Sequence, residues 1–273
     1  MAGEVEWRLV EDSSPENREL GEVVRRLEGI YDGDPSLDWK ESRRRRAEAL
    51  TVLLTASDKN RSLAGRLEGA EYEIGGDEHF VLRVDDQPDR VFKLTHGDCF
   101  GCYSFFSPHD PDLTGKHFHG SVNEDPVFYL KRWMLVNFLG GYQTRFEGLL
   151  PPEEKLRMPR ICVSQPTLDV PSPTRKEILE SLLPYRFVNI SDDAFLNFET
   201  RILLTDAAPR NVRIVDGTPA LFDAIASFAP DKICEWASLR SNTPPTIADA
   251  GVSTRTNQSG FDDALVTPRP PSC

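Results

Sequence analysis

The chain has 273 residues and a formal net charge of −12, a length that suits one two-lobed domain or a domain with an arm and a tail. The acidic balance argues against sequence-independent nucleic-acid binding, which needs Lys and Arg against phosphates. Five cysteines, an odd number, do not make a secreted disulfide framework. The opening "MAGEVEWRLVEDSS" has neither a basic start nor an apolar run, so it is not read as a signal peptide, and no stretch is apolar for long enough to span a bilayer. A cytoplasmic protein with no membrane partner is the expectation.

Charged helices are expected over residues 1–70. "SPENRELGEVVRRLEGIY" places Leu20, Val23, Val24 and Leu27 at helical spacing behind a Ser-Pro start. A second helix runs from about Trp39 to Leu54 and carries the basic cluster Arg43 to Arg46, which reads as a solvated face among acidic neighbours. "SDKNRSLAGRL" supplies a third, shorter helix. From Tyr72 the period changes to two. "HFVLRVDD" reads as a strand with Phe80, Leu82 and Val84 on one face, "QPD" as a turn, and "RVFKLTH" as a second strand with Lys93 in its middle. Gly97 to about Asp125 reads as irregular. "DPVFYLKRWMLVNFLGG" is a helix opened by Pro126 and ended by Gly140-Gly141, with Phe128, Trp133, Met134 and Phe138 as core positions. Strands follow at "TRFEGLL" and "RICVSQPTL", then a capped helix in "SPTRKEILESLL". Residues 239–273 lack any period and read as a disordered tail.

"LLTDAAPRNVRIVDGTPALFDAI", Leu203 to Ile225, holds the chemistry. Asp216-Gly217 is a two-residue hairpin turn, so Asn211 on the first strand faces Phe222 or Asp223 on the second. Asp206, five residues before Asn211, lies on the loop entering the same place. Asn211 and Asp223 with a nearby carboxylate make an oxygen site suited to Mg²⁺ that leaves room for phosphate oxygens, as phosphoryl transfer requires. Taken singly, Asp206 as a turn cap and Asp223 as a strand end are sufficient readings. Lys93, an ammonium inside an apolar strand, is costly unless it meets an anion such as a nucleotide phosphate; an edge-strand Lys reaching solvent is the alternative.

In order, Gly75-Gly76, Lys93, the D-x-x-x-x-N of Asp206 and Asn211, and Asp223 after one hairpin resemble the protein-kinase-like fold. "TDAAPRNV" is most similar to the catalytic loop of aminoglycoside phosphotransferase-type kinases and of the compact kinases of bacterial and phage polyvalent proteins. The resemblance spans roughly Glu71 to Phe228. It implies an α+β, two-lobed, protein-kinase-like fold: an N-terminal helical arm (1–70), a small antiparallel-sheet lobe (71–165), and a reduced C-terminal lobe with the catalytic loop and metal hairpin (166–238). It further implies an ATP- and Mg²⁺-dependent phosphotransferase. Gly75, Gly76 and Lys93 would bind the nucleotide, Asp206 would be the base, and Asn211 and Asp223 would hold the metal. "RICVSQPTLDVPSPT" would supply the adenine hinge. The acceptor, a protein or small-molecule hydroxyl, stays open.

The pattern also departs from that family. Ala208 stands where a Lys or His would neutralise the transferring phosphate, with Arg210 a replacement cation across Pro209. Leu204 stands two residues before Asp206 where a His is usual. The helix expected to offer Glu to Lys93 contains none, and Glu124 and Glu147 are the nearest substitutes. These departures favour a second reading, a degenerate kinase that binds nucleotide or partners without turnover. A third, a zinc-stabilised interaction module, rests on Cys99, Cys102, His117 and His119, a zinc-like set with the wrong H-x-H spacing for a finger helix. His79 and His96 read as surface or edge residues.

Overall fold

The computed structural model describes residues 2–30, 38–75, 78–97, 99–107, 117–140, 143–152 and 158–240. They form an α+β structure. Four helices come first: α1 (Ala2–Asp12), α2 (Pro15–Ile30), α3 (Trp39–Thr55) and α4 (Asp58–Leu67). Next are strands β1 (Glu71–Gly75), β2 (His79–Arg83), β3 (Arg90–Thr95), β4 (Cys102–Phe106) and β5 (Phe118–Val122), then α5 (Pro126–Phe138). The chain continues through β6 (Arg145–Leu150), β7 (Arg160–Pro166), α6 (Arg175–Leu182), β8 (Phe187–Ser191), β9 (Ala194–Asn197) and β10 (Ile202–Thr205). It closes with β11 (Val212–Val215), β12 (Thr218–Leu221), β13 (Ile225–Phe228) and α7 (Asp231–Arg240). Among the described residues no helix is long and apolar enough to cross a membrane.

The helices start where side chains cap them. Asp38 accepts from the Glu41 N–H, and Ser57 from the Lys59 N–H. In α6, Thr174 and Glu177 exchange hydrogen bonds as a full capping box. Within the basic run of α3, Arg44 and Arg45 pair with Glu41, and Arg46 is largely covered near Asp125. On α2 the spacing of Leu20, Val24 and Leu27 makes a buried stripe that packs against α5. Asn17 pins the two together: its amide donates to the Val10 and Met134 carbonyls, and its oxygen accepts from Asn137, whose own oxygen accepts the Thr144 N–H.

The larger sheet is antiparallel in the order β1-β2-β3-β7-β6. β3 is therefore central, with Lys93 between Val81 of β2 and Val163 of β7. The edge-strand alternative for Lys93 falls with that register. A second sheet has the order β13-β10-β9-β8, and β11-β12 and β4-β5 are separate hairpins. One apolar cluster links α1, α2, α5, β7, α6, β9, β10 and β12, with Trp133 and Met134 of α5 inside it.

Gly97 to Asp125, expected to be irregular, contains the β4-β5 hairpin, with Cys102 opposite Val122 and Phe105 opposite His119. The pairing joins strands separated by a long connection, so no turn dipeptide announces it. α7 was also not expected. It lies just before residues 241–273, and the expected disordered tail falls, apart from the end of α7, outside the described residues.

Candidate functional site

The turn at Asp216-Gly217 takes left-handed conformations at both residues, φ 49° and 78°, as a type I′ hairpin requires. Val215 thus faces Thr218 and Val212 faces Leu221. One step beyond the ladder, the N–H groups of Phe222 and Asp223 both donate to the Asn211 carbonyl, at 3.2 and 3.3 Å. The Asn211 amide donates to the Asp206 carbonyl at 2.8 Å and to its carboxylate at 2.7 Å. Asp206 and Asn211 thus meet through their side chains, and Asp223 adjoins Asn211 through its backbone.

Lys93 reaches them from the other sheet. Its Nζ donates to Asp223 Oδ1 at 2.9 Å and to the Phe222 carbonyl. The ammonium also lies 5.2 Å from the Trp133 ring centroid, a cation–π distance. Burial pulls the Lys93 pKa below its ordinary value. Burial also pushes the Asp223 carboxyl up, but the neighbouring cations, Lys93 first and then Arg132, outweigh it and hold the group at about 2. About a third of the Asp223 side chain (34%) stays open, facing a cavity of about 670 Å³ lined also by Asp206, Asn211 and Asp193. Because the folded value lies below the usual 3.8, this carboxylate stabilises the fold above about pH 4 and loses that contribution as pH falls towards 2. The stability difference between wild type and Asp223→Asn should therefore shrink across that acid window in thermal melts. A difference that does not change with pH would contradict the pairing.

Three neighbours complete the site. His79 is 2% exposed, not a surface residue: it follows the chain reversal after β1, and its Nε2 lies 2.9 Å from the Tyr129 hydroxyl. Burial and the nearby Lys93 hold its pKa well below the usual imidazole value, so the ring is neutral. Arg132 of α5 is fully buried and donates to the Ala224 and Asp223 carbonyls at 3.1 and 2.7 Å. Its third nitrogen meets both oxygens of Glu78 at 3.2 and 3.0 Å. Glu147, a substitute considered for the missing helix Glu, bonds Ser164 and Arg66 instead.

Asp206 sits at φ 51°, a left-handed conformation that Asp tolerates better than most side chains. Arg210 donates to its Oδ1 at 2.5 Å, so a cation does cross Pro209 to the acid. Burial raises the Asp206 pKa, against the opposing pull of Arg210 and Asn211. Ala208 is 3% exposed and Leu204 fully buried. Gly75 ends β1 opposite His79, and Gly76 lies outside the described residues.

Glu78 and Arg132 were missed in the sequence. Arg132 left only a partial signal: a charge in a largely apolar helix needs a partner, but adjacent Lys131 is an equal candidate and proves the more exposed. Glu78 left none. Among the described residues, one trio of possible metal ligands converges, Glu78, His79 and Asp223, with ligand atoms within 4.8 Å. Cys99, Cys102, His117 and His119 form no such group, and burial, with Glu78 beside it, pushes the Cys102 thiol up to about 12. No protein-family model matches the chain, and neither a curated protein nor a solved structure is significantly similar to it.

Proposed function

We propose that the cleft binds ATP with Mg²⁺ and transfers its terminal phosphoryl group to a hydroxyl acceptor, on a two-lobed, protein-kinase-like scaffold. The observation that carries this reading is the meeting of Lys93 with Asp223 at 2.9 Å, 130 residues apart in sequence, at the mouth where Asp206 bonds Asn211. A lysine on the third strand of an antiparallel sheet, a helix packed behind it, and an Asp-Asn-Asp set on a loop and hairpin are the parts that such transfer uses.

The donor set suits a hard divalent cation. The Asn211 amide nitrogen is engaged by Asp206, which leaves its oxygen as a ligand, and Asp223 keeps a carboxylate oxygen beyond the one that Lys93 holds. Mg²⁺ there would neutralise phosphate charge. The chain's own residues do the rest. Lys93 has three donors, two of them used by Asp223 and Phe222, and offers the third to a phosphate oxygen. Asp206, with its proton affinity raised by burial, orients the acceptor hydroxyl and takes its proton. Arg210 brings positive charge to the same carboxylate.

Thermal shift tests the reading. ATP and Mg²⁺ together should stabilise the protein, by about 2.7 kcal/mol at one hundred times Kd, and either alone should do less. The ligand-induced shift should vanish in Lys93→Ala. No Mg²⁺-dependent shift at millimolar ATP would end the reading. The second reading, nucleotide binding without turnover, is favoured by buried Ala208 where a cation would stand, and ATP turnover separates the two.

A further inference from the structure

Arg132 is the most deeply buried cation of the cleft, with none of its side chain exposed. Two of its nitrogens serve backbone carbonyls, and the third is left for a side chain. Between that nitrogen and the cavity stands one carboxylate, Glu78, 16% exposed. Glu78 is held as a bound anion would be: Arg132 NH1 donates to both its oxygens, and the Cys102 backbone N–H donates to Oε1 at 3.0 Å. Gly101, just before Cys102, sits at φ +70°, a left-handed conformation that glycine adopts without strain. A guanidinium edge with a backbone N–H beside it is a donor set that takes phosphate oxygens as readily as carboxylate.

Charge decides between a cation and an anion as the visitor. Glu78, His79 and Asp223 could surround a metal by distance alone. Both carboxylates are already matched, Asp223 by Lys93 and Glu78 by Arg132, and the imidazole is neutral. Two cations against two carboxylates sum to zero, so a divalent ion added to the trio alone, without the phosphate charge that would accompany Mg²⁺ at Asp223, would leave an uncompensated buried charge. An anion that replaces the Glu78 carboxylate keeps Arg132 matched.

We propose that Arg132 and the Cys102 N–H form a seat for a phosphate-type oxyanion, filled by Glu78 until a ligand displaces it. The proposal rests on the reading of the cleft as a phosphate site, and gives that site a binding arginine and an internal competitor. Glu78 then limits affinity, and removing its charge strengthens binding.

The test uses the full chain and inorganic tripolyphosphate without metal, at constant ionic strength, read by thermal shift and calorimetry. Glu78→Gln should melt lower than wild type in chloride, because Arg132 has lost its counter-charge. It should then gain a larger stabilisation from tripolyphosphate, with an affinity about tenfold or more above wild type. Arg132→Met in the Glu78→Gln background should abolish the gain. If Glu78→Gln does not fold, Glu78→Asp, one methylene shorter, should bind the probe severalfold tighter than wild type. Affinity equal to or below wild type in whichever variant folds overturns the proposal, as does a wild-type stabilisation by Zn²⁺ or Mn²⁺ that Glu78→Gln loses. ATP turnover without the Glu78→Gln gain leaves phosphoryl transfer standing and removes the seat; the gain without turnover does the reverse.

Discussion

Under the proposed phosphoryl transfer, Asp206→Asn should reduce Mg²⁺-dependent ATP turnover by about 10²- to 10⁴-fold, the usual worth of a positioned general base. Asn is the informative replacement. It tolerates the left-handed backbone at φ 51° as Asp does, and its carbonyl oxygen can still accept from the Asn211 amide. An Ala there would add backbone strain and confuse the result. The variant should keep its ATP-induced thermal shift, because Lys93, Asn211 and Asp223 are untouched. Turnover measured by phosphate release, with the shift as control, separates lost chemistry from lost binding. A variant that turns ATP over at the wild-type rate would remove Asp206 from the reaction.

Arg132→Met should cost about 3–5 kcal/mol of stability, since it removes one partner of a buried ion pair and leaves the other without a counter-charge. The arginine also satisfies the Asp223 and Ala224 carbonyls, which the methionine cannot do. Urea unfolding gives the number. Arg132→Lys should be costly too, because an ammonium cannot reach three acceptors in the planar fork that the guanidinium spans. Adding Glu78→Gln to Arg132→Met should return part of the loss, and the double-mutant cycle reports the coupling. A loss below about 1 kcal/mol would mean that solvent reaches these groups, against their burial.

The parts of the site that local chemistry dictates were legible. The Asp216-Gly217 turn and a period of two place Asn211 against Phe222 and Asp223, whose N–H groups both reach its carbonyl. Pro126 and Gly140 bracket α5 as expected, with Asp125 capping it. Lys93 announced itself by its apolar flanks. What stayed hidden depends on partners distant in sequence. His79 looked like the rim of a strand, and its burial comes from Tyr129 and Trp133 on α5. Arg132 lies in a helix buried on nearly all sides, which has no polar face to show which charges point inward. β4 and β5 pair across a connection too long for a turn signal, in a segment rich in Gly, Pro and His.

The Asn17 amide has a practical consequence for anyone trimming the chain. The sequence reads residues 1–70 as a helical arm, yet Asn17 satisfies the Met134 carbonyl and the Asn137 amide, two and five positions from Arg132 on the same helix. Fragments that begin after residue 30 would strip polar groups of their mates at the back of α5 and bare the Leu20, Val24 and Leu27 footprint. A fragment worth producing therefore begins before α2, not at the first strand.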